Sequence, residues 1–171
     1  MCAFDPVEDR MIVMGGSPVT GAWGDDLWEL RLQGAPTWRR LSVRGELPAG
    51  DPVEHRVVRD PGDGRLHVLP AIDGGPFATL VPSDTATWTS TLNARPFFLH
   101  AYSCAAIHEP IGRRMIVNGG REHRYPFGTY LLCAAGLTDT STWFPLAPTG
   151  ESGPARFGHD AAYDPIGDQM V

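Results

Sequence analysis

The sequence predicts an all-β chain in which one unit of four antiparallel strands is used repeatedly. Three observations carry this. The stretch Arg10-Met-Ile-Val-Met-Gly-Gly16 recurs as Arg114-Met-Ile-Val-Asn-Gly-Gly120, an apolar run ending in paired glycines. An acid followed by proline returns at Asp5, Asp60, Glu109 and Asp164, at spacings of 55, 49 and 55 residues. Trp38, Trp88 and Trp143 keep nearly the same step, 50 and 55 residues apart. Two independent markers holding one period are the mark of stacked supersecondary units. No apolar pattern of period 3.6 repeats along the chain, and 20 glycines and 16 prolines favour many turns between short strands.

The first copy, about residues 1–50, opens on Cys2-Ala-Phe4 and turns at residues 5–9. Proline presets φ there, and aspartate side chains bond the turn backbone. Residues 11–14 are apolar on both faces, as a strand sandwiched between neighbouring sheets would be. Gly15 and Gly16 follow, where a Cβ would obstruct a left-handed turn or a close backbone approach. Residues 26–32 alternate, with Trp28, Leu30 and Leu32 on one face and Glu29 and Arg31 on the other. Trp38 opens a last strand over residues 38–43.

The second copy, about residues 51–97, is degenerate. Its turn is Asp60-Pro-Gly-Asp-Gly64 and its second strand Arg65-Leu-His-Val-Leu69, but Pro70-Ala71 stands where the glycine pair belongs. Residues 77–81 and 88–92 complete it. The third copy, about residues 98–153, is well kept, with an opening segment at 103–107, an apolar run over 115–120 ending in the glycine pair, a strand at 129–133, and Trp143 opening the fourth. Residues 154–171 begin a fourth copy.

These residues resemble the Kelch repeat. The resemblance rests on the apolar run before Gly15-Gly16 and Gly119-Gly120 and on an aromatic in the third strand (Trp28, Tyr130). It also rests on tryptophan opening the fourth strand (Trp38, Trp88, Trp143) and on Pro-x-Arg-x-x-His at Pro154, Arg156 and His159. It implies a partial β-propeller of four-stranded antiparallel Kelch-type blades, in one domain over residues 1–171. Propellers close with about 4–8 blades, so three and a quarter units are expected to be a segment of a longer propeller. The middle copy should be the best protected. The incomplete fourth copy should leave a sheet face and edge prone to self-association.

The 171 residues carry a net charge of −6, and their arginines are scattered. Phosphate backbones call for a concentrated basic face, so nucleic acid is not an expected partner. No apolar run approaches the roughly 18 residues of a membrane span, and the first residues show no signal-peptide pattern. Cys2, Cys104 and Cys133 lack metal-ligand spacing and read as small buried hydrophobes or incidental thiols, with a disulfide between two of them left open.

His55, His67, His100, His108, His123 and His159 form no known metal motif, and no metal or cofactor is expected. His55 and His159 recur at one repeat position and should hydrogen-bond within their own blades, whereas Arg156 should bond between blades through its guanidinium. Asp25, Asp26 and Asp73 read as turn residues. No nucleophile has a base near it in sequence, so no catalytic residue is assigned. Arg121, His123, Arg124 and Tyr125 form the candidate contact loop, because function tends to sit on loops held by a rigid scaffold and arginine and tyrosine anchor interfaces. The expected role is a scaffold that binds a protein or an extended ligand. The resemblance also admits an enzyme, such as a galactose oxidase-like copper oxidase or a carbohydrate-active enzyme. A copper site would need Tyr and His ligands with a Tyr–Cys pair, and no such set can be assigned.

Overall fold

The structure, a computed structural model, describes residues 1–15, 26–45, 55–69, 77–91, 103–120, 132–137, 143–151 and 153–171. No helix occurs among them. Strands β1 (Cys2–Asp5), β2 (Arg10–Met14), β3 (Leu27–Arg31) and β4 (Thr37–Arg40) form one antiparallel sheet in sequence order. Strands β6 (Arg56–Arg59), β7 (Leu66–Leu69), β8 (Phe77–Val81) and β9 (Thr85–Thr91) form a second. A third contains β10 (Ala105–Glu109), β11 (Arg114–Asn118), β12 (Leu132–Gly136) and β13 (Trp143–Pro145), and the hairpin β14 (Tyr163–Asp164) and β15 (Gln169–Met170) begins a fourth.

First strands meet first strands: β1 packs on β6, β6 on β10, and β10 on β14. Successive sheets therefore stand as neighbouring blades with their opening strands on a common inner edge. This is an arc of a β-propeller.

Burial explains the stacking. Ile12, Met14, Leu27 and Leu41 of the first blade meet Leu66, Val68, Ala78, Leu80, Ala86 and Trp88 of the second. Val58 and Leu69 on the second blade's other face meet Cys104, Met115, Val117 and Cys133 of the third. Each such aliphatic side chain contributes about 1.5–3 kcal/mol on burial, so apolar contact dominates the adhesion between blades. All four residues of β7 are buried, because that blade is covered on both faces. In β2 only Arg10, Ile12 and Met14 are buried, with Met11 and Val13 half-buried. The first copy's second strand is thus covered fully on one face, not two.

The tryptophans share one station. Trp38 pairs with Leu30, which lies opposite Met11; Trp88 pairs with Leu80, opposite Leu66; Trp143 pairs with Ala135, opposite Met115. Their burial follows their neighbours. Trp88 is 6% exposed and Trp38 56%.

Three local readings change. Residues 38–43 are not one strand. Leu41 turns into the core between the first two blades, its N–H donating to Leu27 O at 2.8 Å. The next residues, β5 (Ser42–Arg44), then run parallel to β9 and give the second blade a fifth, outer strand. The third blade's third strand begins at Leu132, and Cys133 occupies the station held by Trp28 in the first blade, while Tyr130 lies outside the described residues. In the second blade, β9 starts at Thr85, ahead of Trp88.

Candidate functional site

At one end of the blades, the turn joining the first two strands is built four times to one plan. The acid before proline accepts a backbone N–H: Val7 to Asp5, Gly62 to Asp60, Gly112 to Glu109 and Ile166 to Asp164, at 3.2, 2.7, 2.8 and 2.9 Å. The residue before the second strand has positive φ in every copy: Asp9 47°, Gly64 75°, Arg113 47° and Asp168 48°. The turn acid thus fixes a left-handed corner that starts each second strand in register.

The same acids tie blades together. Asp5 pairs with Arg10 of its own hairpin at 3.4 Å and with Arg59 of the second blade at 2.8 Å. Arg10 also donates to Glu29 at 2.9 Å and to Pro82 O of the second blade at 3.2 Å. Glu29 is fully buried and receives Arg31 and Arg39 as well, at 2.7 and 2.6 Å. Burial pushes its carboxyl up, but the bonds from Arg39, Arg10 and Arg31 overcome this and bring it down to about 2. Arg39 continues to Asp84 in the second blade at 2.7 Å.

Between the second and third blades the pattern alters. Asp60 is met by Arg113 at 2.7 Å and lies 3.9 Å from His108 Nε2. Burial raises the Asp60 carboxyl, while the bonds from Arg113 and Gly62 hold it below the usual range. Burial also holds both His67 and His108 below the usual histidine range. Ligand atoms of Asp60, Asp63 and His67 come within 4.8 Å of one another.

Two clefts open at this end. One, of about 330 Å³, lies between the first and second blades and includes Asp5, Arg10, Arg59 and Asp63. The other, of about 350 Å³, lies between the third and fourth and includes Glu109, Arg114, Tyr163 and Gln169. Asp5 already holds Arg10 and Arg59, and Glu109 holds Arg114 at 2.6 Å. Asp5, Arg10, Arg59, Glu109 and Arg114 are thereby committed to the fold.

At the opposite end of the third blade lies the segment around Arg156. Gly120 N–H donates to Arg156 O at 2.9 Å, Gly158 N–H to Ser103 O at 2.8 Å, and His159 Nε2 lies 3.2 Å from Asn118 Oδ1. Gly119 has φ +66°, and a Cβ there would stand 2.5 Å from Arg156 O and 2.6 Å from His159 Cε1. Glycine is needed at this point for both its torsion and its lack of bulk.

Sequence-predicted residues divide accordingly. Arg156 makes its inter-blade bond through its carbonyl oxygen, and its guanidinium Nε donates to Pro154 O at 3.3 Å, within its own segment. His159 reaches Asn118 in the third blade instead of bonding within its own blade, because the segment carrying it lies across Gly119. His55 is fully buried. Gly15 has φ +61°, whereas Gly16 lies outside the described residues. Asp26 accepts Trp28 Nε1–H at 2.7 Å. Cys104 and Cys133 are buried and form no disulfide, and burial pushes the Cys133 thiol up to about 12. Arg121, His123, Arg124, Tyr125, Asp25, Asp73 and His100 lie outside the described residues.

The Asp60, Asp63 and His67 group is not apparent from motif spacing. Its signal is in the repeat columns: His67 stands where the first and third blades have Ile12 and Ile116.

No protein-family model and no curated protein matches the chain. Solved structures do. The structure of YjhT resembles it with a TM-score of 0.67 over 96% of this chain, at 14% identity. The chain spans 55% of that structure's length. At this identity the likeness shows the fold alone.

Proposed function

We propose that the chain is a Kelch-type propeller arc working as a binding scaffold for a protein or an extended ligand, with no catalytic activity of its own. The glycine pairs, the shared tryptophan station and the Arg156–His159 segment seated on Gly119 support the Kelch assignment. The observation that carries the binding role is the anchoring of Gly120. This residue is buried and bonded to Arg156 O, so the chain enters residues 121–125 from a fixed point. Those residues bring two arginines, a histidine and a tyrosine together in sequence. A contact loop held at a rigid base loses less conformational entropy on binding.

The test is binding of the labelled chain to arrays of immobilised peptides and glycans. The wild type should mark a defined set of spots. The combined Arg121→Ala, Arg124→Ala and Tyr125→Ala variant should lose them, while Trp38→Ala on the outer strand keeps them. Identical patterns for the triple variant and the wild type would contradict the assignment.

A further inference from the structure

The face of the second blade that meets the third carries chemistry its counterparts lack, and the repeats supply their own comparison. Between the first and second blades, four equivalent stations hold Asp5, Glu8, Ile12 and, from the following blade, Arg59. Between the third and fourth they hold Glu109, Gly112, Ile116 and Tyr163. Between the second and third they hold Asp60, Asp63, His67 and His108. Two histidines, His67 beside the aspartates and His108 from the third blade, therefore share one interface with two aspartates.

His108 is not explained as a partner for the Asp60 charge. Its counterpart Arg59 pairs with Asp5 at 2.8 Å, but Asp60 has Arg113 at 2.7 Å for that purpose. His108 Nε2 is shut off from solvent, has no hydrogen-bond partner and lies 3.9 Å from Asp60 Oδ1. A buried imidazole nitrogen left this way costs about 1–3 kcal/mol. Such a group in a native fold asks for an explanation, and a bound ion is one.

We infer that Asp60, Asp63, His67 and His108 form a site for a divalent transition-metal cation bridging the second and third blades. Two imidazoles and two carboxylates in a partly buried setting suit Zn²⁺. The surrounding bonds are those a metal site uses. Thr79 Oγ1 lies 3.3 Å from His67 Nδ1 and fixes that ring, while Gly62 N–H and Arg113 hold the Asp60 carboxylate. The ligand atoms of Asp60, Asp63 and His67, within 4.8 Å of one another, and His108 Nε2, 3.9 Å from Asp60 Oδ1, must close to roughly 3.3 Å, the edge of a tetrahedron with metal–ligand bonds of about 2.0–2.1 Å. Asp63 can supply the movement, since it sits on the turn with its side chain 40% exposed, and it leaves the ion an entry from solvent.

The experiment is a Co²⁺ titration of the metal-free full chain, followed by displacement with Zn²⁺. One equivalent should bind with the visible absorption of four-coordinate Co²⁺, and Zn²⁺ should bleach it. Asp63→Gly and His108→Tyr install residues that other copies hold at these stations, so both keep the fold. Each should weaken binding about tenfold or more. Glu8→Gly, the matching change in the first blade, should leave binding unaltered. A folded wild type that takes up no stoichiometric Co²⁺ or Zn²⁺ would overturn the assignment. So would Asp63→Gly and His108→Tyr variants that bind as tightly as the wild type.

Discussion

Arg59 of the second blade places Nη2 2.8 Å from Asp5 Oδ1 in the first blade, with both side chains almost wholly buried. Asp5 serves at once as turn cap, partner of Arg10 within its hairpin, and link between sheets. Replacing it leaves two guanidinium groups in an apolar interface with one carboxylate fewer. Asp5→Ala is expected to cost about 3–5 kcal/mol, the usual effect of breaking a buried pair from one side. Asp164→Ala, at the exposed copy of the same turn, should cost far less. Urea unfolding of the two variants checks the contrast, and equal losses would show that the interface adds nothing to the turn.

Glu29 makes the fold sensitive to acid. Its carboxyl is held at about 2 in the folded chain against 4.5 when unfolded, so the folded state favours the ionised form. Its contribution is complete above pH 4.5 and is lost as pH falls toward 2. The exposure of Arg31 and Arg39 reduces the effect to about 2 kcal/mol. Stability of the wild type measured from pH 6 to pH 2 should fall more steeply than that of Glu29→Gln, which starts lower and lacks this titration. Parallel curves would argue against the buried network.

Gly119→Ala is expected to loosen the segment carrying Arg156 and His159. The new methyl would collide with Arg156 O in a torsion that L residues rarely adopt. The cost should be about 1–3 kcal/mol. Faster amide exchange at Gly120 and Gly158 would report it. Unchanged exchange would mean that the close approach tolerates a side chain.

The tryptophans should differ in energy although they share a station. Trp88→Ala removes a 6% exposed side chain from the first core and should cost about 3–5 kcal/mol. Trp38→Ala removes one that is 56% exposed and should cost less than about 1 kcal/mol. Trp88 Nε1 is buried without a hydrogen-bond partner, so Trp88→Phe should recover most of the loss. Thermal unfolding distinguishes the three.

The blade repeat was legible because its markers carry local physics. An acid before proline caps a turn, glycine accepts φ +66° at Gly119, and tryptophan fills one cross-strand station. What could not be read is which partner each side chain finds in the next blade. The guanidinium of Arg156 and the ring of His159 were expected to bond in the wrong places, since their partners depend on how a segment from one copy lies across the glycines of another. The split of residues 38–43 was hidden for the same reason. Leu41 leaves the strand to fill a space created by the neighbouring sheet, and Ser42–Arg44 then pair with β9. The Asp60–His67 grouping needs a fold in hand before its repeat columns can be aligned.

Native-state amide exchange of the full chain tests most directly that successive sheets stack face to face along an inner edge. Strand β7, buried on both faces, should hold the slowest-exchanging amides, with β2 and β11 intermediate and the exposed hairpin β14–β15 fastest. Exchange in β7 as fast as in β14–β15 would contradict the stacked arrangement.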